Sequence, residues 1–448
     1  MIIKNGEELI SSGLRARAVG LIEAGIDRVL PANLMRSTVK YSALQKRLTV
    51  GGVRYNLARG RVFVIGGGKA SGLMAEELER TIGPGTITAG VVNCKTGGYK
   101  TEKVTIIEVG HPVPDESGVW GVREMLAMKA RYNIGRGDLV ICLISGGGSA
   151  LLPCPVTGVT LEDKQALTQL LLRSGADIKE INSVRKHLSL IKGGGLAGFY
   201  GPARVVSLII SDVVGDDLDV IASGPTVADT TTFADALKVL KKYGLLEKAP
   251  QNAMGFIARG CEGSEAETPK ILLNCDNHII GNNRMALEAI AEKARDLGLM
   301  PSIVTSEMTG DTAGLARGMA KEMIKGKYRG FDVVLLGGET TPTLPGNAGK
   351  GGRNQHYAAV SMLAMKGCRC PWVLASVGSD GSDYLPDVAG AMVDNRSLDS
   401  TKAAGLDVED YIERFDSNTL FKKMGRSLIV TGPTGTNVSD IVLYLPGC

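Results

Sequence analysis

The segment 61-RVFVIGGGKASG-72 carries the pattern that decides the fold. An apolar run at residues 61–65 is followed by three glycines, by Lys69 and by an amphipathic stretch. A continuous apolar run is typical of a strand that is buried on both faces of a sheet. Glycines permit a tight turn and the close approach of a ligand. The segment therefore predicts a strand, a glycine turn and a helix in succession.

The same pattern recurs along the chain. Four further apolar runs precede a glycine-rich or acidic turn: residues 139–144 before SGGGSALL, 204–210 before SDVVGDD, 331–336 before GGETT and 371–377 before GSDGSD. Strands that alternate with helices favour parallel pairing, because a helix must cross back between parallel strands. We therefore expect an α/β protein with mostly parallel, Rossmann-like sheets that are flanked by helices.

The length of 448 residues suggests more than one domain. The polar, acidic stretch at residues 261–269 is the best candidate for a linker, so we expect an N-terminal α/β domain at 1–262 and a C-terminal α/β domain at 268–448. Helical periodicity at residues 8–30 opens the first domain. Two lobes with an interdomain cleft follow, and the Gly- and Pro-rich stretch at 341–352 is expected to form a mobile loop over that cleft.

Composition argues against several classes of function. Lys and Arg total 51 and Asp and Glu total 47, so the net charge is only +4, and aromatic residues make up 4% of the chain. This balance argues against nucleic acid binding. The cysteines are scattered apart from Cys368 and Cys370, so a disulfide framework or a zinc site is not expected. No apolar run approaches about 18 residues. We expect a cytoplasmic monomer or homodimer that binds small molecules and no membrane.

Lys69 is the first candidate for chemistry. Ligands of parallel sheets bind at the carboxyl ends of the strands, and Lys69 stands there at the start of a helix. A helix start is unfavourable for a cation unless an anion is present as well. We therefore expect the ammonium to meet phosphate or carboxylate oxygens, and the alternative is a solvated lysine. The glycines before it, Gly66, Gly67 and Gly68, do not form a Walker A loop, because Phe63 occupies the place of its first glycine.

A second glycine loop follows the run at 139–144. Its N–H groups and hydroxyls are suited to phosphate oxygens, and the alternative is a tight strand-to-helix turn. The residues of this loop are Ser145, Gly146, Gly147, Gly148 and Ser149. Asp212 comes directly after the run at 204–210, and a carboxylate beside a phosphate site usually needs a metal ion. Both features predict a phosphate site with a metal nearby.

Three groups of candidates lie in the C-terminal half. Arg353 follows two glycines at the start of a helix, where a guanidinium suits a bidentate hold on phosphate or carboxylate. Asp380 stands among glycines after the run at 371–377, which predicts close approach by a ligand or metal. The remaining candidates are Gly338, Glu339, Thr340 and Asn354.

In this order, the motifs resemble the class II glycerate kinase family, whose N-terminal domain is of the glycerate kinase type and whose C-terminal part is called MOFRL. The matching stretches cover nearly the whole chain: VIGGGKAS, GHPVPDESG, SGGGSALLPCP, IKEINSVRKHLSLIKGGGLA, SLIISDVVGDDLDVIASGPT, GGETT, GKGGRNQ, SVGSDGSD and TGPTGTNVSD. The resemblance implies a kinase that uses ATP and Mg²⁺ to phosphorylate D-glycerate to 2-phosphoglycerate or, alternatively, to 3-phosphoglycerate.

The resemblance also implies roles for the candidates. Lys69 and Arg353 are the pair most needed for catalysis, and from opposite lobes they would neutralise the transferred phosphoryl group. Asp212 and Asp380 would hold Mg²⁺ or accept the hydroxyl proton. Lys69, Arg185 or Arg353 would meet the carboxylate of glycerate, and Ser71 would contact the same substrate. Nucleotide or substrate phosphates would contact the two glycine loops (residues 66–68 and 145–149), Gly338, Glu339, Thr340 and Asn354.

Two other functions remain as alternatives. An NAD(P)H-dependent hydroxypyruvate reductase would act on related three-carbon metabolites. However, Ser71 stands in the last glycine place of the dinucleotide fingerprint, and Asn93 and Cys94 stand where an acid would bind the ribose. A non-catalytic protein that closes on an anion is the other alternative. The acids beside the glycine loops argue against it, because an anion trap gains nothing from them.

Overall fold

The computed structural model describes residues 1–58 and 60–447. The chain forms two compact units. The inserted unit comprises Leu34–Ile280, and the split unit comprises Met1–Asn33 together with the chain from Gly281 onward. Each unit has its own sheet covered by helices, so the predicted α/β class is confirmed.

The strands lie as follows in chain order: β1 (Val39–Ser42), β2 (Arg47–Val50), β3 (Val53–Asn56), β4 (Val62–Gly67), β5 (Ile87–Cys94), β6 (Val104–Glu108), β7 (Leu139–Ser145), β8 (Arg204–Ile210), β9 (Cys275–Gly281), β10 (Pro301–Met308), β11 (Val333–Gly338), β12 (Trp372–Gly378), β13 (Gly390–Asp394), β14 (Leu428–Ile429) and β15 (Asp440–Pro446).

The α-helices lie as follows: α1 (Gly6–Leu9), α2 (Gly13–Arg28), α3 (Pro31–Thr38), α4 (Ser71–Ile82), α5 (Glu116–Arg131), α6 (Gly148–Leu151), α7 (Leu161–Arg173), α8 (Ile178–His187), α9 (Gly195–Tyr200), α10 (Phe233–Lys242), α11 (Gln251–Cys261), α12 (Asn283–Asp296), α13 (Thr312–Ile324), α14 (Arg353–Ala364), α15 (Ser397–Ala403), α16 (Val408–Glu413) and α17 (Ser417–Met424).

The main sheet of the inserted unit has the order β6-β5-β4-β7-β8-β9. The pairs β5–β6, β4–β5, β4–β7 and β7–β8 are parallel, which confirms the prediction for this unit. Strands β4 and β7 are buried along their whole length, as continuous apolar runs require. Because these strands are parallel, the loops that follow them lie at one edge of the sheet.

The sheet of the split unit departs from the prediction. Its order is β10-β11-β15-β12-β13-β14, and of its pairs only β10–β11 is parallel within the described part of the chain. Strand β15 runs antiparallel between β11 and β12, so these two strands have the same direction. For β12 and β13 the physical reason is that residues 379–389, which join them, contain no helix to carry the chain back for a parallel pairing.

The boundaries of the units also differ from the predicted domains 1–262 and 268–448. Helix α2 packs on α12, where a Cβ at Gly25 would lie 2.7 Å from the side chain of Ile290, so the first helices belong with the C-terminal strands. The expected linker lies inside the inserted unit, where a carboxylate oxygen of Glu267 accepts from Phe233 N at 2.8 Å. Apolar burial of α2 explains the difference, because periodicity shows that a helix buries a face but not against which strands.

A three-stranded antiparallel meander, β1-β2-β3, was not predicted, because strands of four residues give too short a pattern to recognise. Residues 342–352 lie outside helices and strands, between β11 and α14, as the predicted loop requires. The mobility of that loop stays a prediction.

Candidate active site

In the inserted unit, the two predicted glycine loops lie together. Lys69 N donates to the carbonyl oxygen of Gly146 over 2.8 Å, which joins the loop after β4 to the loop after β7. Ser145 adds a second link, because its Oγ accepts from Ala70 N at 2.9 Å. The predicted placement of both loops at the carboxyl edge of parallel strands is therefore confirmed.

The close contact between these loops requires glycine. Gly66 and Gly68 have φ values of +136° and +155°. A Cβ at Gly66 would lie 2.1 Å from the carbonyl oxygen of Leu143, and one at Gly68 would lie 2.2 Å from Ser145 Oγ. A side chain at either position would displace its neighbour and strain the backbone. The two loops therefore meet at backbone distance.

Ser71 and Ser145 use their hydroxyls within the protein. Ser71 is completely buried, and its Oγ donates to the carbonyl oxygen of Leu143 at 3.1 Å. The two hydroxyl oxygens lie 3.2 Å apart. These contacts hold the strands and loops together. The predicted contact of Ser71 with substrate and that of Ser145 with phosphate stay predictions, and both hydroxyls are already engaged.

Lys69 is part-buried at the junction of the loops. Its ammonium has no hydrogen bond or ion pair within residues 1–58 and 60–447. A Cβ at Gly147 would lie 3.2 Å from Lys69 Cγ and 3.0 Å from His111 Nε2, so both side chains flank the second loop. Burial lowers the pKa of His111 to about 4, and the positive charges of Lys69 and Lys95 act in the same direction. His111 is therefore neutral at pH 7, and Lys69 supplies the positive charge.

Asp212 lies beside the second glycine loop. A Cβ at Gly146 would lie 2.0 Å from Asp212 Oδ2, so the missing side chain at Gly146 admits this carboxylate. The neighbouring acid Asp217 instead forms an ion pair with Lys179, with 3.2 Å between Oδ2 and Nζ. The inserted unit thus brings Lys69, both glycine loops and Asp212 together.

A cavity of about 420 Å³ lies in the inserted unit, and we call it the cation cavity. It is lined by the predicted residues Ser149 and Arg185 and by two lysines that the sequence analysis missed, Lys164 and Lys192. Lys192 is only 3% exposed, and its Nζ donates to the carbonyl oxygens of Ser149 at 3.1 Å and Ala222 at 3.2 Å. The cavity therefore shares a residue with the second glycine loop.

The sequence held one signal for these lysines. Lys192 precedes Gly193, Gly194 and Gly195, which mirrors the order of three glycines before Lys69. Lys164 gives no such signal, because it lies within α7 among ordinary helical residues. Only the packing of α7 on α8, the helix that carries Arg185, brings the Lys164 side chain to the cavity.

In the split unit, a buried carboxylate fixes the helix that carries Arg353. Arg353 is the first residue of α14, and Gly352 is its N-cap. The Asp383 carboxylate accepts from Asn354 N at 2.9 Å and from Gln355 N at 2.8 Å, which satisfies free N–H groups of the helix start. A Cβ at Gly352 would lie 2.2 Å from Asp383 Cγ, so glycine is required there.

Two carboxylates hold the guanidinium of Arg353. Its Nε and Nη2 donate to Asp440 at 2.6 and 3.1 Å, and its Nη1 donates to Glu339 at 2.6 Å. These bonds use three of the five guanidinium N–H groups. Burial raises the pKa of Asp440 to about 6 against the opposite effect of Arg353. Burial also opposes the charge of Arg353, but Asp440 outweighs it and raises the arginine pKa.

Asp440 was missed by the sequence analysis, although it is the main partner of Arg353. It is the first residue of β15 and lies in register with Gly338 of β11 and with Gly378 of β12. Because β15 is antiparallel to both neighbours, its start lies at the carboxyl edge of theirs. The predicted residues Gly338, Glu339 and Arg353 therefore come together around an acid that precedes an apolar run.

Three other predicted residues use their side chains internally. Thr340 Oγ1 accepts from Thr312 Oγ1 at 2.8 Å. Asn354 accepts from Ser376 Oγ at 2.6 Å and donates to Asp440 Oδ1 at 2.9 Å. Asp380 Oδ1 accepts from the amide and hydroxyl of Ser382 at 2.9 and 3.0 Å, which closes its own turn. Their predicted contacts with ligand or metal stay predictions.

The carboxylates of the described residues allow a test for a magnesium site. No group of three or more His, Cys, Asp or Glu side chains in these ranges is placed to hold a metal ion. In phosphoryl transfer enzymes, Mg²⁺ is usually bound by one or two carboxylates, with substrate phosphates and waters completing the shell. Asp212 beside the second glycine loop is a donor of that kind.

In the part of the chain that the structure describes, no helix is both long and apolar enough to cross a bilayer.

Comparison with known proteins identifies the family of the chain. A model described as "Domain of unknown function (DUF4147)" matches residues 17–258, and the MOFRL family model matches residues 332–440. The chain is 40% identical over 446 residues to the glycerate 2-kinase of Pyrococcus horikoshii, and the alignment covers 98% of each chain. It is also 42% identical over 397 residues to a protein of Agrobacterium vitis that carries the provisional name hydroxypyruvate reductase. That alignment covers 87% of this chain and 88% of the Agrobacterium protein.

The solved structures agree with the sequence matches. The crystal structure of glycerate kinase from Thermotoga maritima matches with a TM-score of 0.83 and 37% identity, and it covers 96% of this chain and 98% of that one. A family model thus matches more than half of the chain, and relatives at this level of identity span nearly all of it. The chain therefore belongs to the class II glycerate kinase family.

Proposed function

We propose that this protein is a glycerate kinase that transfers the γ-phosphoryl group of ATP to the 2-hydroxyl group of D-glycerate. The observation that carries the proposal is the ammonium of Lys69. It stands at the junction of two glycine loops and has no partner among the described residues. Relatives of nearly the same length are named for this reaction.

Lys69 acts by neutralising phosphate charge. Phosphoryl transfer needs in-line positioning and stabilisation of the charge on the transferred group, and little covalent chemistry from the protein. An ammonium without a protein partner is available to phosphate oxygens. The second glycine loop lies beside the Lys69 side chain, and its backbone N–H groups can bind the same oxygens.

Arg353 acts as a preorganised cation. Asp440 and Glu339 hold three of its N–H groups, and the other two have no acceptor among residues 1–58 and 60–447. Those two groups are positioned before any ligand arrives, so binding an oxyanion costs little reorganisation. Arg353 would thus supply a second positive charge for the reaction.

Asp212 is suited to one of two roles. Its carboxylate lies beside the second glycine loop, where it would hold Mg²⁺ or accept the proton of the glycerate hydroxyl. When bound, Mg²⁺ neutralises phosphate charge and orients the transferred group. Asp380 is the second proposed metal ligand. The carboxylate of D-glycerate needs a cation, which Lys69, Arg185 or Arg353 would supply. The cytoplasmic location and the monomeric or homodimeric state stay predictions.

A second candidate function is reduction of hydroxypyruvate, the activity in the name of the Agrobacterium vitis relative. The end of β5 argues against it. Dinucleotide-binding sheets place an acid there for the ribose, whereas Asn93 is completely buried and donates to the carbonyl oxygens of Gly118 and Leu151 at 2.9 and 2.8 Å. Its side chain is therefore engaged in the interior.

The test is to incubate the full chain with ATP, Mg²⁺ and D-glycerate and to follow ADP. We expect ADP formation that depends on glycerate and stops with a chelator, and phosphorus NMR should identify 2-phosphoglycerate. The 3-isomer would correct the position of transfer. Oxidation of NADH or NADPH by hydroxypyruvate, without glycerate-dependent ADP formation, would replace the kinase with the reductase.

A further inference from the structure

The cation cavity concentrates positive charge without a matching acid. Lys164 and Lys192 share it with Arg185, and the acid in its lining, Glu162, is exposed to solvent. The nearest polar contacts of these cations are uncharged. Lys192 binds two carbonyl oxygens, and Arg185 Nε reaches the hydroxyl of Thr168 at 3.5 Å. The cavity thus contains three cations and no buried carboxylate in its lining.

Lys164 is the least satisfied of the three. The side chain is part-buried, but its Nζ is shielded from solvent and has no hydrogen-bond partner among the described residues. Burial lowers the pKa of Lys164 to about 7, and Arg185 acts in the same direction. Burial also lowers the pKa of Lys192 well below its usual value, and Lys164 and Arg185 add to the effect. Cys154 opposes this shift of the pKa at both lysines.

A buried ammonium without a partner is costly to the folded protein. The cost is relieved when an anion enters, because both lysines can then stay protonated beside it. A single carboxylate carries one negative charge, which Arg185 alone would balance. A phosphate group carries up to two charges and three terminal oxygens, so it can engage Arg185 and both lysines together.

We propose that the cation cavity binds a phosphate group through Lys164, Arg185 and Lys192. Two ligands of the proposed reaction carry this group, the nucleotide and the phosphorylated three-carbon product. The inference rests on the proposed function only for this choice of ligands. Phosphate binding is measured without turnover, so the failure of one proposal can be distinguished from failure of the other.

The test measures binding to the full chain by isothermal titration calorimetry. The probes are inorganic pyrophosphate, ADP, 2-phosphoglycerate and D-glycerate. We expect the variants Lys164→Met and Lys192→Met to bind pyrophosphate about 10- to 100-fold more weakly than wild type, as the loss of a charge-assisted contact implies. The matched control is Lys248→Met, an exposed lysine of the same unit, which should bind as wild type does.

The other probes identify the source of the phosphate group. If the variants bind ADP more weakly and 2-phosphoglycerate as wild type does, the cavity belongs to the nucleotide. If they bind 2-phosphoglycerate more weakly and ADP as wild type does, it belongs to the product. Either result supports the proposal. Wild-type affinity of both variants for all three phosphate probes would overturn it, as would a loss confined to D-glycerate, which carries only a carboxylate.

Thermal unfolding without ligand gives an independent readout. Lys164→Met removes an unpartnered buried ammonium and keeps the length of the side chain, so we expect Tm to rise by about 2 °C. In wild type, the affinity for pyrophosphate should also weaken as pH rises through about 7, because Lys164 loses its proton. A lower Tm with unchanged pyrophosphate binding would instead mark Lys164 as structural and overturn the proposal.

Discussion

The cation cavity and the surroundings of Arg353 hold positive charge in opposite ways. In the split unit, Asp440 and Glu339 pair directly with one guanidinium. In the inserted unit, Lys192 donates to two carbonyl oxygens, and Lys164 Nζ has no hydrogen-bond partner among the described residues. The pKa of Arg353 is raised, whereas burial lowers that of Lys164 to about 7.

The difference separates two ways to prepare a site for an anion. A paired cation is fixed in position and keeps its charge, and its removal leaves a buried carboxylate without a partner, but that carboxylate offsets part of its attraction for a ligand. An unpartnered cation stays available to the ligand, and where it is buried it lowers the stability of the fold. Lys69 belongs to the second class, because its ammonium makes no ion pair within the described ranges. Substitutions in the two classes should therefore separate activity from stability.

The largest effect is expected for Arg353→Ala. The variant should lose about a hundredfold in rate and about 3 kcal/mol of unfolding free energy, because buried Asp440 is left without its partner. Initial rates and urea unfolding measure the two effects. Arg295→Ala, an exposed arginine of the same unit, is the control and should change neither quantity. Unchanged stability of Arg353→Ala would show that the pair does not hold the fold.

The pH dependence sharpens the same comparison. Burial raises the pKa of Asp440 to about 6, so its carboxylate is protonated below that pH and its ion pair with Arg353 is lost. We expect kcat/KM to fall about tenfold for each pH unit below about 6. The raised pKa has the opposite effect on stability. The folded state binds more protons than the unfolded state between about pH 4 and 6, so this contribution falls as pH rises through that window.

Asp440→Asn tests the assignment of that pH dependence. The variant cannot ionise at this position, so the limb near pH 6 should disappear while the rate stays low at every pH. If the same limb persists in Asp440→Asn, another group is responsible for it.

The smallest effect is expected for Ser71→Ala. The variant loses one buried hydrogen bond to the carbonyl oxygen of Leu143, so the unfolding free energy should fall by about 1 kcal/mol. The rate should stay within about threefold of wild type, because the hydroxyl serves the contact between the strands. A much larger loss of rate at unchanged stability would instead place Ser71 in the substrate site, as the resemblance implied.

Local pattern was sufficient to predict the parallel sheet of the inserted unit and the glycine loops at its edge. The strand, glycine turn and helix that contain Lys69 follow one another in the chain, and parallel strands place all such turns at one edge. Asp212 and the second glycine loop were predicted in the same way. Apolar runs and glycine clusters are short-range features, so a single sequence shows them directly.

The missed residues depend on contacts between distant segments. Asp440 precedes an apolar run, and it reaches the site only because β15 runs antiparallel to its neighbours. Lys164 lies on α7, and the packing of α7 on α8 cannot be predicted from periodicity. The position of α2 beside α12 has the same origin. Strand direction and helix docking are set by the whole chain, which local patterns do not contain.

We infer that the free ammonium of Lys69 stabilises the transferred phosphoryl group in the reaction with D-glycerate. The most direct measurement is the initial rate of glycerate-dependent ADP formation by Lys69→Met, with urea unfolding of the same sample. We predict a loss of about a hundredfold in rate, while the unfolding free energy stays within about 0.5 kcal/mol of wild type. A rate near that of wild type would contradict the claim.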